Sequence, residues 1–365
     1  GSWFLLPSES LNEVNGINYA EKLEERAKNR EQARKNWNEV EKINDLKKGY
    51  ISQVVRKIAD LAIKYNAIII LEDLNMRFKQ VRGGIEKSVY QQLEKALIEK
   101  LNFLVNKGEV NPKKAGHLLK AYQLTAPFTS FKDMGKQTGI IFYTQADYTS
   151  KIDPLTGWHP NLYLKYSNAN KTKKELLEKF DNIIFNKEKK RFEFTYGLTK
   201  FYPNAEEQLK KTQWTVCSCV ERIHWNRKLN QNMGGYDYYE NLTDNFATLF
   251  NGVGISMEQD ILEQIQQLES KGNENFFREF VFLFNLVCQI RNTDQNKKGD
   301  KNDFILSPVE PFFDSRRAKQ FGENLPQNGD ENGSYNIARK GIMILEKISA
   351  TTRSEERRVG KECRS

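Results

Sequence analysis

Apolar positions along this chain recur in two rhythms, separated by polar stretches, and each rhythm predicts a kind of element. Residues 18–48 are dense in Lys, Arg, Glu and Asn, hold few apolar side chains and contain no proline or glycine. That pattern predicts a long exposed helix. Trp37 stands apart on it, either as an anchor set into a neighbouring pocket or as a partly exposed aromatic. Gly49 is expected to break this helix. After it Ile51, Val54, Val55, Ile58, Leu61, Ala62 and Tyr65 recur at helical spacing and predict a core-facing helix. The run from Ala67 to Leu71 is short, β-branched and apolar throughout, as for a central strand covered on both faces. Beyond a basic loop, Val89, Leu93, Leu97, Leu101 and Leu104 mark another amphipathic helix, and Gly139 to Tyr143 a further strand.

Helices and strands alternate through this part, which is therefore α/β. From about residue 151 to 302 the texture changes. A loop rich in Pro, Gly and Asn runs from Asp153 to Asn170, followed by a charged stretch, a strand at Arg191 to Thr195 and then helices. This reads as an inserted second domain, whose last helix, Phe276 to Ile290, is apolar enough to be buried. A final helix, Ser334 to Ile348, repeats Ala338, Ile342, Leu345 and Ile348 and is expected to dock on the first domain's sheet through them.

Composition narrows the classes. At 365 residues the chain is long for one domain, and two is the natural starting count. No apolar run approaches the ~18 residues of a membrane helix, and the first residues show no signal core. The net charge of +9, with an isoelectric point near 9.1, favours a polyanionic partner such as nucleic acid. Cys217, Cys219, Cys288 and Cys363 show no paired spacing and only three histidines accompany them, which points away from zinc and toward a reducing, cytoplasmic setting. Residues 353–365 break from the preceding helical pattern and resemble an adapter-derived artefact. They carry a net +2, leaving about +7 for the body.

Two acidic constellations carry candidate chemistry. Glu72-Asp73-Leu74-Asn75 follows the apolar strand directly, at the sheet edge where ligands bind, and hard oxygen ligands suit magnesium. The alternatives are that Asp73 or Asn75 only starts the next segment and that Glu72 is a solvated strand end. The second is Asn328-Gly329-Asp330-Glu331-Asn332-Gly333, just before the final helix. Asp330 or Asn332 could cap that helix, and the Asn-Gly steps are ordinary turn chemistry, but a carboxylate held at a helix start can also bridge metal ions. Two-metal phosphodiester hydrolysis needs acidic groups converging from distant segments, so the pair matters more than either member.

The runs GYISQVV, IIILEDLN, VYQQLEKALIEKLNFLV, AYQLTAPF, MGKQTGIIFY, TSKIDPLTG, ILSPV, FFDSR and GDENGSYNIARKG occur in this order. Their order and spacing resemble the C-terminal part of the type V-A CRISPR RNA-guided endonucleases, over residues 15 to 352. The resemblance implies an α/β, RNase H-like (RuvC) nuclease domain, incomplete at its N-terminal strands, interrupted by an inserted α+β Nuc domain. Residues 1–17 would end a preceding RuvC segment, 18–48 form the bridge helix with Trp37 its structural anchor, and 49–150 hold the second RuvC motif. Residues 151–302 would be the Nuc domain and 303–352 the third RuvC motif.

By the same resemblance Glu72 and Asp330 match catalytic, metal-binding carboxylates. Arg291 matches a Nuc arginine needed for cutting, and Asp303 an acidic residue near it. The plainer readings are that Arg291 ends a helix, where a cation suits the dipole, and that Asp303 sits in a polar turn. Arg77, Phe78, Lys79, Arg82, Lys87 and Tyr90, in and after the basic loop, could hold a strand through phosphate contact and base stacking, or form a solvated loop. Asp153 stands where relatives typically have cysteine, a further mark against zinc.

The implied cofactor is Mg2+, two ions, with Mn2+ able to substitute. The implied partners are guide RNA and target DNA in the full-length protein, and single-stranded DNA, handled by a monomeric effector of antiviral defence in a prokaryotic cytoplasm with no membrane association. The family's first catalytic aspartate has no counterpart before residue 18, so the chain by itself is expected to be inactive. Two rivals remain. A transposon-associated RuvC-like nuclease would carry a cysteine-rich zinc ribbon, and a noncatalytic nucleic-acid-binding module would bind strands without cutting.

Overall fold

The computed structural model describes residues 13–14, 17–18, 25–26, 28–29, 31–32, 43–65, 67–73, 87–101, 141–145, 148–200, 202, 211–232, 234–295 and 301–362. The chain divides into two compact units, Gly1–Thr149 with Gly333–Ser365, and Ser150–Asn332. Trp37, Arg77, Phe78, Lys79, Arg82 and the side chain of Lys87 lie outside the described residues. The described positions between 25 and 32 are helical, as the polar pattern predicts.

In the first unit, two short strands, β1 (Glu13–Val14) and β2 (Ile17–Asn18), pair antiparallel. Helix α1 spans Ile43–Tyr65 and runs straight through Gly49. The expected break does not occur, because one glycine costs a helix only about 1 kcal/mol and the apolar face that follows outweighs it. Of the predicted stripe, Ile51, Val54, Val55 and Ala62 are buried, Ile58 and Leu61 are half-buried and Tyr65 is exposed, while Ala59, outside the stripe, is buried as well. Strand β3 (Ile69–Asp73) lies parallel to β4 (Ile141–Gln145), with Ile70 opposite Phe142 and Glu72 opposite Thr144. β3 starts two residues later than the apolar run suggests and continues through Asp73, so Glu72 and Asp73 are strand residues rather than a loop after it, and Gly139 and Ile140 of the second run lie outside the described residues. β3 is only half-buried from Ile69 to Glu72, less covered than its composition implies. Helix α2 (Lys87–Leu101) buries Val89, Leu97 and Leu101 in the same core as α1 and β4.

The second unit has a denser core. Helix α3 (Ala169–Lys179), capped by Asn168 accepting from the Lys171 amide at 2.9 Å, leads into β5 (Phe180–Asn186). β5 pairs antiparallel with β6 (Arg191–Gly197), and β6 with β7 (Gln213–Cys217). Two hairpins follow along the chain: β8 (Arg222–Asn226) with β9 (Gly235–Tyr239), with the short α4 (Leu229–Asn232) between them, and β10 (Arg291–Gln295) with β11 (Lys301–Ile305). Helices α5 (Thr243–Asn251), α6 (Ile261–Gln267) and α7 (Glu274–Val287) join the core. α7 buries Phe276, Phe277, Phe280 and Phe284, and the Phe284 ring meets Phe180 edge-on at 4.9 Å. Each such ring contributes about 1.5–3 kcal/mol by burial.

The carbonyls that end α7 are met by a side chain. Arg222, fully buried, donates to the Leu286 and Val287 carbonyls at 3.0 and 2.8 Å. Burial pulls its pKa down to about 9, and the helix-end carbonyls offer the cation the partners it has lost in water. A short helix α8 (Ala318–Phe321) precedes α9 (Gly329–Glu362). α9 starts earlier than predicted and continues past the change in sequence pattern at residue 353, where Arg, Glu and Lys are strong helix formers without an apolar stripe.

Candidate functional site

Glu72 is placed by the strand that carries it. On β3 its side chain shares a face with that of Ile70, and in the parallel register it lies beside the buried Thr144. The half-buried Glu72 is held from two sides: the Thr149 hydroxyl donates to its Oε1, and the Tyr90 hydroxyl donates to its backbone carbonyl at 2.9 Å. Tyr90 therefore positions the strand end as well as offering a ring. Thr149 is itself fixed, its carbonyl accepting from the buried Asn336 amide of α9 at 3.1 Å. No periodicity marks Thr149 or Asn336. Their sequence signal is membership in the runs TSKIDPLTG and GDENGSYNIARKG.

The α9 face on this core differs from the predicted one. Gly341 and Ile344 are buried, with Asn336, while Ala338, Ile342 and Leu345 are half-buried. A Cβ at Gly341 would lie 2.5 Å from Ile70 Cγ1 and 2.7 Å from Ile70 Cδ1. The helix approaches β3 through the missing side chain of a glycine, which apolar periodicity does not reveal.

In the second unit Arg291, Asp303 and Asp330 form one cluster. Arg291 opens β10 rather than ending a helix, since α7 stops at Val287. Asp303 is in β11, opposite Thr293, rather than in a turn. Because Thr293 and Arg291 are two apart, Arg291 and Asp303 are diagonal neighbours on one face of the hairpin, within reach of long side chains. Their guanidinium and carboxylate pair directly, and Arg291 Nη2 also meets Asp330 Oδ1 at 3.1 Å.

Asp330 does not cap α9. Asn328 does, its Oδ1 accepting from the Glu331 amide at 2.8 Å, while Glu331 Oε2 accepts from the Gln327 amide at 2.8 Å. This reciprocal arrangement satisfies orphan donors at the helix start and leaves the Asp330 carboxylate for other partners. Asn332 lies inside the first turns, donating to the Ile152 carbonyl at 2.9 Å, and the Asn332-Gly333 step is helical rather than a turn. The sequence reads Gly329 only as part of a turn step, yet it opens α9, and a Cβ there would lie 2.6 Å from Asp303 Oδ2 and 2.8 Å from Arg291 Nε.

The electrostatics of the cluster are a balance. Burial raises the pKa of Asp303 above its ordinary 3.8, the Arg291 hydrogen bond and charge oppose this, and Asp330 adds to it. Arg291 is shifted the other way by burial, but Asp303 and Asp330 together leave its pKa raised. Asp303 Oδ1 is buried and has no hydrogen-bond partner among the described residues.

The candidate donors at both places are carboxylate oxygens, which suit a hard divalent cation. No group of three or more His, Cys, Asp or Glu among the described residues stands ready to hold a metal ion. By type, the carboxylate of Glu72 and that of Asp330 each suit such an ion. Asp153, by contrast, is fully buried and structural: it accepts from the Leu155 amide at 2.9 Å, the Thr156 hydroxyl at 2.5 Å and the Ser307 hydroxyl at 2.8 Å. The family model described as RuvC nuclease domain matches residues 4–363 of this chain.

Proposed function

From the premise that this chain belongs to the RuvC nuclease domain family, we propose that it is the C-terminal nuclease portion of a type V-A CRISPR RNA-guided DNA endonuclease. The mixture of helices with small sheets is consistent with the RNase H-like fold of such nucleases. The observation that carries the reading is Glu72, a half-buried carboxylate at the end of a parallel strand, held by Thr149 and Tyr90. A ligand carboxylate has to be aimed before the ion arrives, and such second partners do the aiming.

In this reading Glu72 and Asp330 each serve as a ligand for magnesium, two ions being expected in all, and manganese can replace them. The chemistry such ions supply when bound is activation of a water nucleophile and neutralisation of the departing oxygen. Asp330 is held at the start of α9 by a hydrogen bond from Arg291 Nη2, and Asp303 pairs with the same nitrogen. Arg291 is in this reading the Nuc arginine needed for cutting, ion-paired with both carboxylates. In the whole protein, guide RNA pairs with the target strand and supplies sequence choice while the protein holds backbones. The setting is antiviral defence in a prokaryotic cytoplasm, with single-stranded DNA also cut.

The test is cleavage of a fluorogenic single-stranded DNA by the full-length parent with guide and target, in magnesium. Glu72→Gln and Asp330→Asn are each expected to lower the rate at least a hundredfold without changing DNA affinity. Wild-type rates in either variant would overturn the assignment. The chain by itself is expected, by the same resemblance, to bind single strands without cutting them.

A further inference from the structure

The β8–β9 hairpin of the second unit carries a feature that the nuclease chemistry does not use. In its register Trp225 faces Tyr236 and Ile223 faces Tyr238, so these four side chains share one side of the ribbon. Ile223 is buried below. The other three form a continuous aromatic run, with Trp225 to Tyr236 at 4.8 Å between ring centroids and Tyr236 to Tyr238 at 6.5 Å. Large aromatics on a hairpin usually turn inward, yet Trp225 is 48% and Tyr238 59% exposed.

Both rings are held in place while exposed. Gly234, at φ +88°, has no side chain where a Cβ would lie 2.4 Å from Trp225 Cζ2, so the indole packs against backbone there. The Tyr238 hydroxyl donates to Asp294 Oδ1 on β10 at 2.7 Å. Rigid exposed rings lose little entropy when something stacks on them. The surroundings choose the occupant: from Arg222 to Tyr236 the chain has no acidic residue, and Arg227 and Lys228 are exposed at the tip beside Trp225. Of the acids nearby, Glu221 pairs with Arg316. Asp237 belongs to the opposite face, accepting from Asn226 at 2.9 Å, and Asp294 accepts from Tyr238.

We propose that this hairpin is a stacking platform for single-stranded DNA, with Trp225 and Tyr238 each taking a base and Arg227 and Lys228 taking phosphates. The two rings are offset by about one strand repeat of roughly 7 Å, far enough apart to take separate bases. Stacking of this kind tolerates any sequence, because every base has a π-face. The proposal rests on the nuclease reading for its choice of ligand, and it gives the second unit a way to hold a strand that is independent of metal.

The experiment measures anisotropy of a fluorescein-labelled oligothymidine with the full chain in EDTA. Trp225→Ala and Tyr238→Ala are each expected to weaken binding about tenfold, whereas Trp225→Phe and Tyr238→Phe, which keep a ring, stay within about threefold of wild type. Arg227→Ala with Lys228→Ala should flatten the slope of log affinity against log salt by about 1.4. Equal affinity in Trp225→Ala and wild type would overturn the platform. So would tighter binding of an RNA of the same sequence, or self-association abolished by Trp225→Ala with no DNA binding at all. Because metal is absent, loss of the nuclease reading through an active Glu72→Gln variant leaves this result standing on its own.

Discussion

Gly341→Ala and Gly49→Ala make the same chemical change in two helices of one unit, and the structure gives them opposite signs. At Gly49 a Cβ meets nothing within 4 Å, and the site is exposed in the middle of α1. Alanine there gains the helix-propensity difference, about 1 kcal/mol. At Gly341 the same gain is available, but the new Cβ would sit 2.5 Å from Ile70 Cγ1 and 2.7 Å from Cδ1. Both atoms belong to a β-branched side chain with little rotamer freedom. Forcing a methyl into such a contact costs about 1–3 kcal/mol, so the net is a loss of about 0–2 kcal/mol.

The difference between the two variants therefore isolates the overpacking, about 1–3 kcal/mol. Urea unfolding of both proteins measures it, and amide exchange of Ile69–Asp73 localises it to the strand that carries Glu72. Adding Ile70→Ala removes the two atoms that clash. In that background Gly341→Ala should recover at least about 1 kcal/mol of its cost, a coupling that only contacting residues show. If Gly341→Ala stabilises as much as Gly49→Ala, or if Ile70→Ala leaves its cost unchanged, α9 does not pack on β3 through this glycine and the support of Glu72 falls with it.

Asp303 offers a pH test. Its folded pKa lies above 3.8 because burial outweighs Arg291, so between those two values the folded state binds more protons than the unfolded one. Its contribution to stability is complete below 3.8 and is lost as pH rises through the folded value. The unfolding free energy of wild type minus that of Asp303→Asn should accordingly fall with pH across that window in urea titrations, and a difference that rises would refute the balance. Asp153→Ala should cost about 3 kcal/mol or more, since it strands a buried amide and two hydroxyls. Asp153→Asn should cost less, and a melting temperature unchanged in the alanine variant would show that the carboxylate staples nothing.

What the sequence determined is what is local. α1, α2 and α7 repeat apolar residues on one face, and β3 and β4 come from short apolar runs, so these elements are legible because each signals its own burial within a few residues. The acidic pairs were visible as candidates for the same reason: Glu72 ends an apolar strand, and Asp330 precedes a helix. Only the tertiary structure decided which partners those residues meet. Gly49 stays helical because packing outweighs propensity, Asn328 rather than Asp330 caps α9, and Arg291 meets Asp303 across a hairpin and Asp330 beyond it. Thr149 reaches Glu72 from 77 residues away, and Gly341 matters for the side chain it lacks. Contacts of this kind join distant positions, and they leave no period in the chain for a local pattern to report.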